Sequence, residues 1–208
     1  MQLSKQRGFT LVEIAIVLVI VGLLIGGVLK GQEMITNAKL KRIESDNAGL
    51  QAAIFSYQDR YLQLPGDDDG AVARFDNVLA ASDGDGDGAI TGHWSVTTAV
   101  IETGFFWAHL RASGLVGGDP DDFAPQQNAY GGKVGIHYGA LGIDGHVSVF
   151  GQLEGSVAKI LESRLDDGDR DDGRIRAEVA SLTVDIPAAV PAAPAYVDTT
   201  LYDVVFRF

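Results

Sequence analysis

The sequence predicts an α+β protein in which one long N-terminal helix packs on an antiparallel sheet, and three observations predict it. An apolar run extends from Phe9 to Leu29 with Glu13 as its only charge. A helical period of apolar residues then continues as far as Leu64. Farther on, two short apolar segments, Val134 to Tyr138 and Val147 to Phe150, flank a glycine-bearing stretch in the manner of a hairpin.

The apolar run has the length that crosses a bilayer as a helix. Lys5 and Arg7 precede it and no acid comes before Glu13, so the positive-inside bias leaves residues 1–8 in the cytoplasm and everything beyond Leu29 outside it. An ionised carboxylate at Glu13 is costly in lipid and calls for a partner. A secretory signal peptide would have a shorter core followed by a small-residue cleavage site, whereas here the small residue, Gly8, precedes the core. A plain membrane anchor gives Glu13 no reason to be there.

The segment Lys5-Gln6-Arg7-Gly8-Phe9-Thr10-Leu11-Val12-Glu13 resembles the class III signal of type IV pilins and of type II secretion pseudopilins. The resemblance implies a pilin-like fold and cleavage between Gly8 and Phe9 by a prepilin peptidase, which also N-methylates Phe9. It further implies that Glu13 pairs with the N-terminal amine of a neighbouring subunit during assembly. Such a pair is physically sensible, because an amine and a carboxylate attract strongly in low dielectric while either alone is penalised. The implied organisation is a leader over 1–8, a transmembrane and assembly half over 9–29, a head-spine half over 30–64 and an extracytoplasmic head over 65–208.

Composition bounds the partners. The chain has 208 residues, no cysteine and a net charge of −12, so the head is held together without disulfides or thiolate metal sites. Its acidity argues against nucleic acid as a partner and makes cations the natural ligands.

Beyond Leu29, Ile43, Leu50, Ile54, Tyr57, Tyr61 and Leu64 are spaced by 7, 4, 3, 4 and 3, one apolar stripe along a helix. Pro65-Gly66 ends it. One helix from about Phe9 to Leu62 would be roughly 80 Å long. Gly22, Gly26, Gly27 and Gly31 permit close helix approach, and also local melting on leaving lipid. Many members of the family that the N-terminus resembles carry a proline where this chain has Lys30.

Leu64-Pro65-Gly66-Asp67-Asp68-Asp69-Gly70 reads as a turn into a short helix over Ala71 to Phe75, and is similar to a segment that follows the long helix in a subset of pilin-like proteins. Asp83, Asp85 and Asp87 then alternate with glycine, and Gly88 and Ala89 follow. Alternating oxygen ligands, a glycine at the sixth position and the Ala89 carbonyl at the seventh match the first two thirds of an EF-hand calcium loop. Position twelve is Trp94, so a closing carboxylate must come from Glu102 or from Asp67 to Asp69 folding back. Two readings stand: a Ca2+ site or a solvated Asp-Gly loop. A second acidic loop, Asp166 to Gly173, alternates Asp167, Asp169 and Asp171, but Arg170, Arg174 and Arg176 favour a salt-bridged loop there over a second calcium site.

Between Val100 and Leu115, Phe105, Phe106, Trp107, Leu110 and Leu115 form the apolar face of a helix capped by Gly114. Val134 to Tyr138 and Val147 to Phe150 are hairpin strands around a Gly139 to Gly145 loop. Ser156 is expected to cap a short helix through Val157, Ile160, Leu161 and Leu165. Ile175 to Val184 fits a strand or a short helix, with strand preferred, Pro187, Pro191 and Pro194 read as a stiff link, and Tyr196 to Phe208 as a final strand.

Catalysis has no foothold in the residues. His93, His109, His137 and His146 lack ligand spacing, and neither a phosphate loop nor a nucleophile elbow is present. The sequence therefore reads as non-enzymatic, and the resemblance implies a subunit stored in the inner membrane and assembled, with other pilin-like subunits and through an inner-membrane assembly platform, into a periplasmic or extracellular filament. A different reading is a membrane-anchored extracytoplasmic protein that binds calcium or another ligand and never polymerises.

Overall fold

A computed structural model describes residues 9–76, 82–97, 101–181, 185–189 and 195–208. Leader residues 1–8, with Gly8, fall outside these residues, as do Val100, Val184, Pro191 and Pro194. The chain divides into two compact units, Met1–Lys39 and Leu40–Phe208.

Helix α1 covers Leu11–Tyr61 without a break. In the first unit it is long and apolar enough to cross a membrane, and none of its most apolar window is buried. A Cβ added at Gly22, Gly26, Gly27 or Gly31 would meet nothing within 4 Å. These glycines therefore present bare backbone to whatever surrounds the helix.

In the second unit α1 buries Leu40, Ile43, Leu50, Ala53, Ile54 and Tyr57, the stripe that the helical period predicts. Tyr61 and Leu64 pack partly buried at its end. The stripe shares one core with Ile136, Phe150, Leu153, Val204 and Phe206 of the sheet and with Phe106, Trp107 and Leu110. Burying each such large side chain contributes about 1.5–3 kcal/mol, so this contact, rather than helix propensity, fixes the second half of α1.

Four antiparallel strands form the sheet: β1 (Val134–Ala140), β2 (Ile143–Glu154), β3 (Ile175–Val179) and β4 (Leu201–Arg207), in the order β1-β2-β4-β3. β2 is the long central strand, and Phe150 meets Phe206 edge-on at 5.3 Å between ring centroids. The predicted Gly139 to Gly145 loop is much tighter than expected. Leu141 (φ 51°) and Gly142 (φ 72°) make a two-residue turn, both in the left-handed region that a hairpin of this twist requires. Their amides donate to the Pro187 and Ala188 carbonyls at 2.8 and 2.6 Å.

Among the described residues three helices complete the unit: α2 (Ala71–Arg74), α3 (Glu102–Ala112) and α4 (Gly155–Leu165). α3 differs from the one-faced helix expected, since every residue from Glu102 to Arg111 is buried. Ser156 is not the cap of α4 but lies inside it, because β2 runs directly into the helix at Glu154 with no side-chain cap. The orphan amides of Gly155 and Ser156 instead donate to the carbonyls of Thr200 (2.8 Å) and Asp198 (3.3 Å). Ile160 and Leu165 are on the outer side, and Val157, Ala158, Leu161 and Glu162 are buried. β3 ends at Val179, short of the expected strand, and β4 starts at Leu201 rather than Tyr196.

Candidate functional site

Glu13 closes the N-terminus of α1 on itself. The Thr10 amide and hydroxyl each donate to Glu13 Oε2 at 2.8 Å, the Glu13 amide donates back to Thr10 Oγ1 at 3.3 Å, and the Ile14 amide donates to the Thr10 carbonyl at 3.3 Å. This is a capping box, with Thr10 as the cap and the acid three residues on. Its signature, Thr-x-x-Glu, stands openly in Thr10-Leu11-Val12-Glu13, whereas the family resemblance implies a neighbouring subunit's amine as the partner of Glu13. Phe9, 85% exposed, precedes the box. Glu13 thus rests against the amide next to Phe9, and its carboxylate remains exposed.

In the head, Tyr57 brings the spine to the acidic segment. Its hydroxyl donates to Oδ2 of fully buried Asp68 at 2.6 Å, the Gly70 amide donates to Asp68 Oδ1 at 2.9 Å, and the Arg74 guanidinium pairs with the same carboxylate. His109 of α3 fastens both ends of the acidic segment: its Nδ1 accepts from the Gly66 amide (2.9 Å) and its Nε2 lies 2.7 Å from the Ser82 carbonyl. An accepting Nδ1 and a donating Nε2–H describe the neutral ring. Burial accordingly holds the His109 pKa below its ordinary value.

Asp67, 1% exposed, is seated in the Asp-Gly loop. Its Oδ1 accepts from the amides of Gly86 (2.8 Å) and Asp87 (3.1 Å), and its Oδ2 from that of Gly88 (2.9 Å). The approach is close enough that a Cβ at Gly84 would lie 2.4 Å from Asp67 Cα. Glu102, also buried, accepts at Oε2 from the Thr91 amide (2.7 Å) and hydroxyl (2.8 Å), and at Oε1 from the Asp85 amide (3.3 Å). Carboxylate oxygens of Asp67, Asp85 and Glu102 lie within 4.8 Å of one another. Burial, with smaller contributions from Glu102 and Asp87, raises the Asp67 pKa against the opposing effect of the Gly88 and Gly86 amides.

The structure therefore gathers two of the residues singled out by sequence, Asp85 and Glu102, and adds Asp67 from the segment that could fold back. Asp83 turns to the Val72 amide of α2 (2.8 Å), and Asp87 bonds the amide of Ala89 (2.8 Å). All-carboxylate oxygen donors suit Ca2+ among common ions. Asp67 was the harder residue to assign, because alternation along one loop says nothing about an acid more than a dozen positions upstream.

Residues 3–29 match the family described as the prokaryotic N-terminal methylation motif. No curated protein matches the chain. Among solved structures, the chain is similar to the major type IV pilin PilA1 from Clostridium difficile, at 14% identity over 82% of this chain and 96% of that one, with a TM-score of 0.39.

Proposed function

We propose that this chain, whose first residues carry the N-terminal methylation motif of the type IV pilin and pseudopilin family, is a structural subunit of a type IV pilus or a type II secretion pseudopilus. A prepilin peptidase would cleave it between Gly8 and Phe9 and methylate Phe9. The precursor would then sit in the inner membrane with its N-terminus cytoplasmic, and an assembly platform would pass it into a periplasmic or extracellular filament with like subunits.

The observation that carries this reading is the state of residues 9–29. Their apolar side chains are exposed, and one exposed acid lies near the start of the run. Lipid satisfies the apolar surface but not the acid; a neighbouring helix bearing a free amine satisfies both. The role is structural rather than catalytic. Mass spectrometry of the chain from membranes and from sheared filaments tests it: a mature N-terminus at N-methylated Phe9 in both fractions is expected. An intact leader on a chain confined to membranes would support the other reading, a non-polymerising anchored protein.

Calcium binding in the head belongs to the same proposal. Two buried carboxylates and a third beside them at Asp67, Glu102 and Asp85 repel one another, and a hard divalent cation would relieve this. Asp83, Asp87 and the Ala89 carbonyl remain within the same loop as supplementary donors. A melting temperature of the full chain in detergent that ignores both added CaCl2 and chelator would refute calcium here.

A further inference from the structure

Beside the second acidic loop stands an acid that none of the foregoing uses. Glu162, in the last turn of α4, is completely buried. Its Oε2 accepts from the Tyr196 hydroxyl at 2.8 Å, while Oε1, equally buried, has no hydrogen-bond partner among the described residues. Oxygens of Asp166 and Asp167 lie within 4.8 Å of an oxygen of this carboxylate. A half-satisfied buried carboxylate facing two more acids is an arrangement that proteins otherwise avoid.

Both nearby arginines make contacts away from Glu162, and Arg170 also lies 6.0 Å over the Tyr196 ring. Arg170 donates from Nε to the Ala177 carbonyl at 3.0 Å, lies 5.0 Å over the Tyr202 ring and approaches Glu178 at 3.9 Å. Arg164 points to Glu44, at 3.9 Å. Lys159 is exposed, on the border of an adjoining cleft of about 440 Å³ that also reaches Asp167, Asp169 and Tyr196. The cleft opens on Asp167 and is lined by Arg170 as well. The three carboxylates also stand at the C-terminal end of α4, where the helix dipole favours positive charge.

We propose that Glu162, Asp166 and Asp167 form a Ca2+ site, with Glu162 Oε1 as its buried ligand, which fastens the Asp166–Arg174 loop to the end of α4. The residues differ from those that sequence alternation suggested, Asp167, Asp169 and Asp171. Asp169 instead accepts the Asp171 amide at 3.3 Å, and the salt-bridged loop is realised through Arg176 with Asp172, at 3.5 Å, and Arg170 with Glu178, at 3.9 Å. Three carboxylates with no nitrogen or sulfur donor select a hard cation, and a loop able to adjust suits the larger Ca2+ over Mg2+.

The test uses the full chain in detergent, with Asp85→Asn throughout to silence the other cluster. CaCl2 titrated calorimetrically should bind at one equivalent, and Ca2+ should slow tryptic cleavage after exposed Arg174. Adding Asp167→Asn, an exposed position whose side chain accepts the Asp169 amide, should weaken binding by on the order of tenfold or more. Glu162→Gln, which keeps the volume and an acceptor for Tyr196, should do the same. Unchanged Ca2+ binding in both variants, or Arg174 cleavage indifferent to Ca2+, would overturn the proposal.

Discussion

Tyr57→Phe removes one oxygen from the point where the spine helix meets the acidic segment. Tyr57 and Asp68 are both fully buried, and the hydroxyl stands 2.6 Å from a carboxylate oxygen that also faces Arg74. The ring stays in place, so no cavity opens, and the loss is that of a hydrogen bond to a charged group, about 1.5–3 kcal/mol. Spread over a chain of this size, that is about 3–12 °C in melting temperature. Thermal unfolding of the full chain in detergent, followed by near-ultraviolet circular dichroism, measures it. Tyr61→Phe is the internal comparison: Tyr61 packs against Tyr57 at 4.6 Å and against Phe75 at 5.3 Å through its ring, and its change should stay within about 0.5 kcal/mol. A double-mutant cycle with Asp68→Asn should return a coupling on the order of 1 kcal/mol. If Tyr57→Phe is as silent as Tyr61→Phe, the hydroxyl–carboxylate contact does not hold the segment to the spine.

Two further outcomes follow from neighbouring residues. Because burial lowers the His109 pKa, the folded state prefers the neutral ring. Its contribution to stability is complete above the unfolded value of about 6.5 and is lost as pH falls through the lower folded value; melting temperatures scanned downward from pH 7.5 should decline below about pH 6.5, less so in His109→Gln. Gly84→Ala forces a methyl into the Asp67 backbone and should cost about 1–3 kcal/mol. Gly88→Ala, where φ is +89° but nothing lies within 4 Å, should cost only about 1 kcal/mol, and equal losses at the two positions would contradict the seating of Asp67 in the loop.

The features read correctly from sequence were those with a local period. The apolar stripe from Ile43 to Tyr57 predicted the buried face of α1, since three- and four-residue spacings draw a line on a helix and nothing else. The hairpin strands were equally legible. What the sequence concealed depended on contacts between distant segments. Ser156 looked like a cap, but the turn at Asp198–Thr200 supplies the carbonyls that cap α4. The large apolar residues of α3 mark only one face, while His109 and Arg111 are buried through bonds to Ser82, Asp122 and Ala124. Neither carboxylate cluster follows loop alternation, because Asp67 and Glu162 come from an adjoining turn and a helix end. The Thr10–Glu13 box is local and stands in the sequence as Thr-x-x-Glu.

That box bears on assembly. In a single subunit Glu13 is bonded to the amide of Thr10; in a filament it would instead meet a neighbour's amine. The most direct measurement is the fate of Glu13→Ala in cells that hold the assembly machinery, scored by the amount of subunit in sheared filaments relative to membranes. Membrane insertion unchanged and filament content abolished is the expected result. Filaments at the normal level would contradict the account, leaving Glu13 as no more than a helix cap on a membrane anchor.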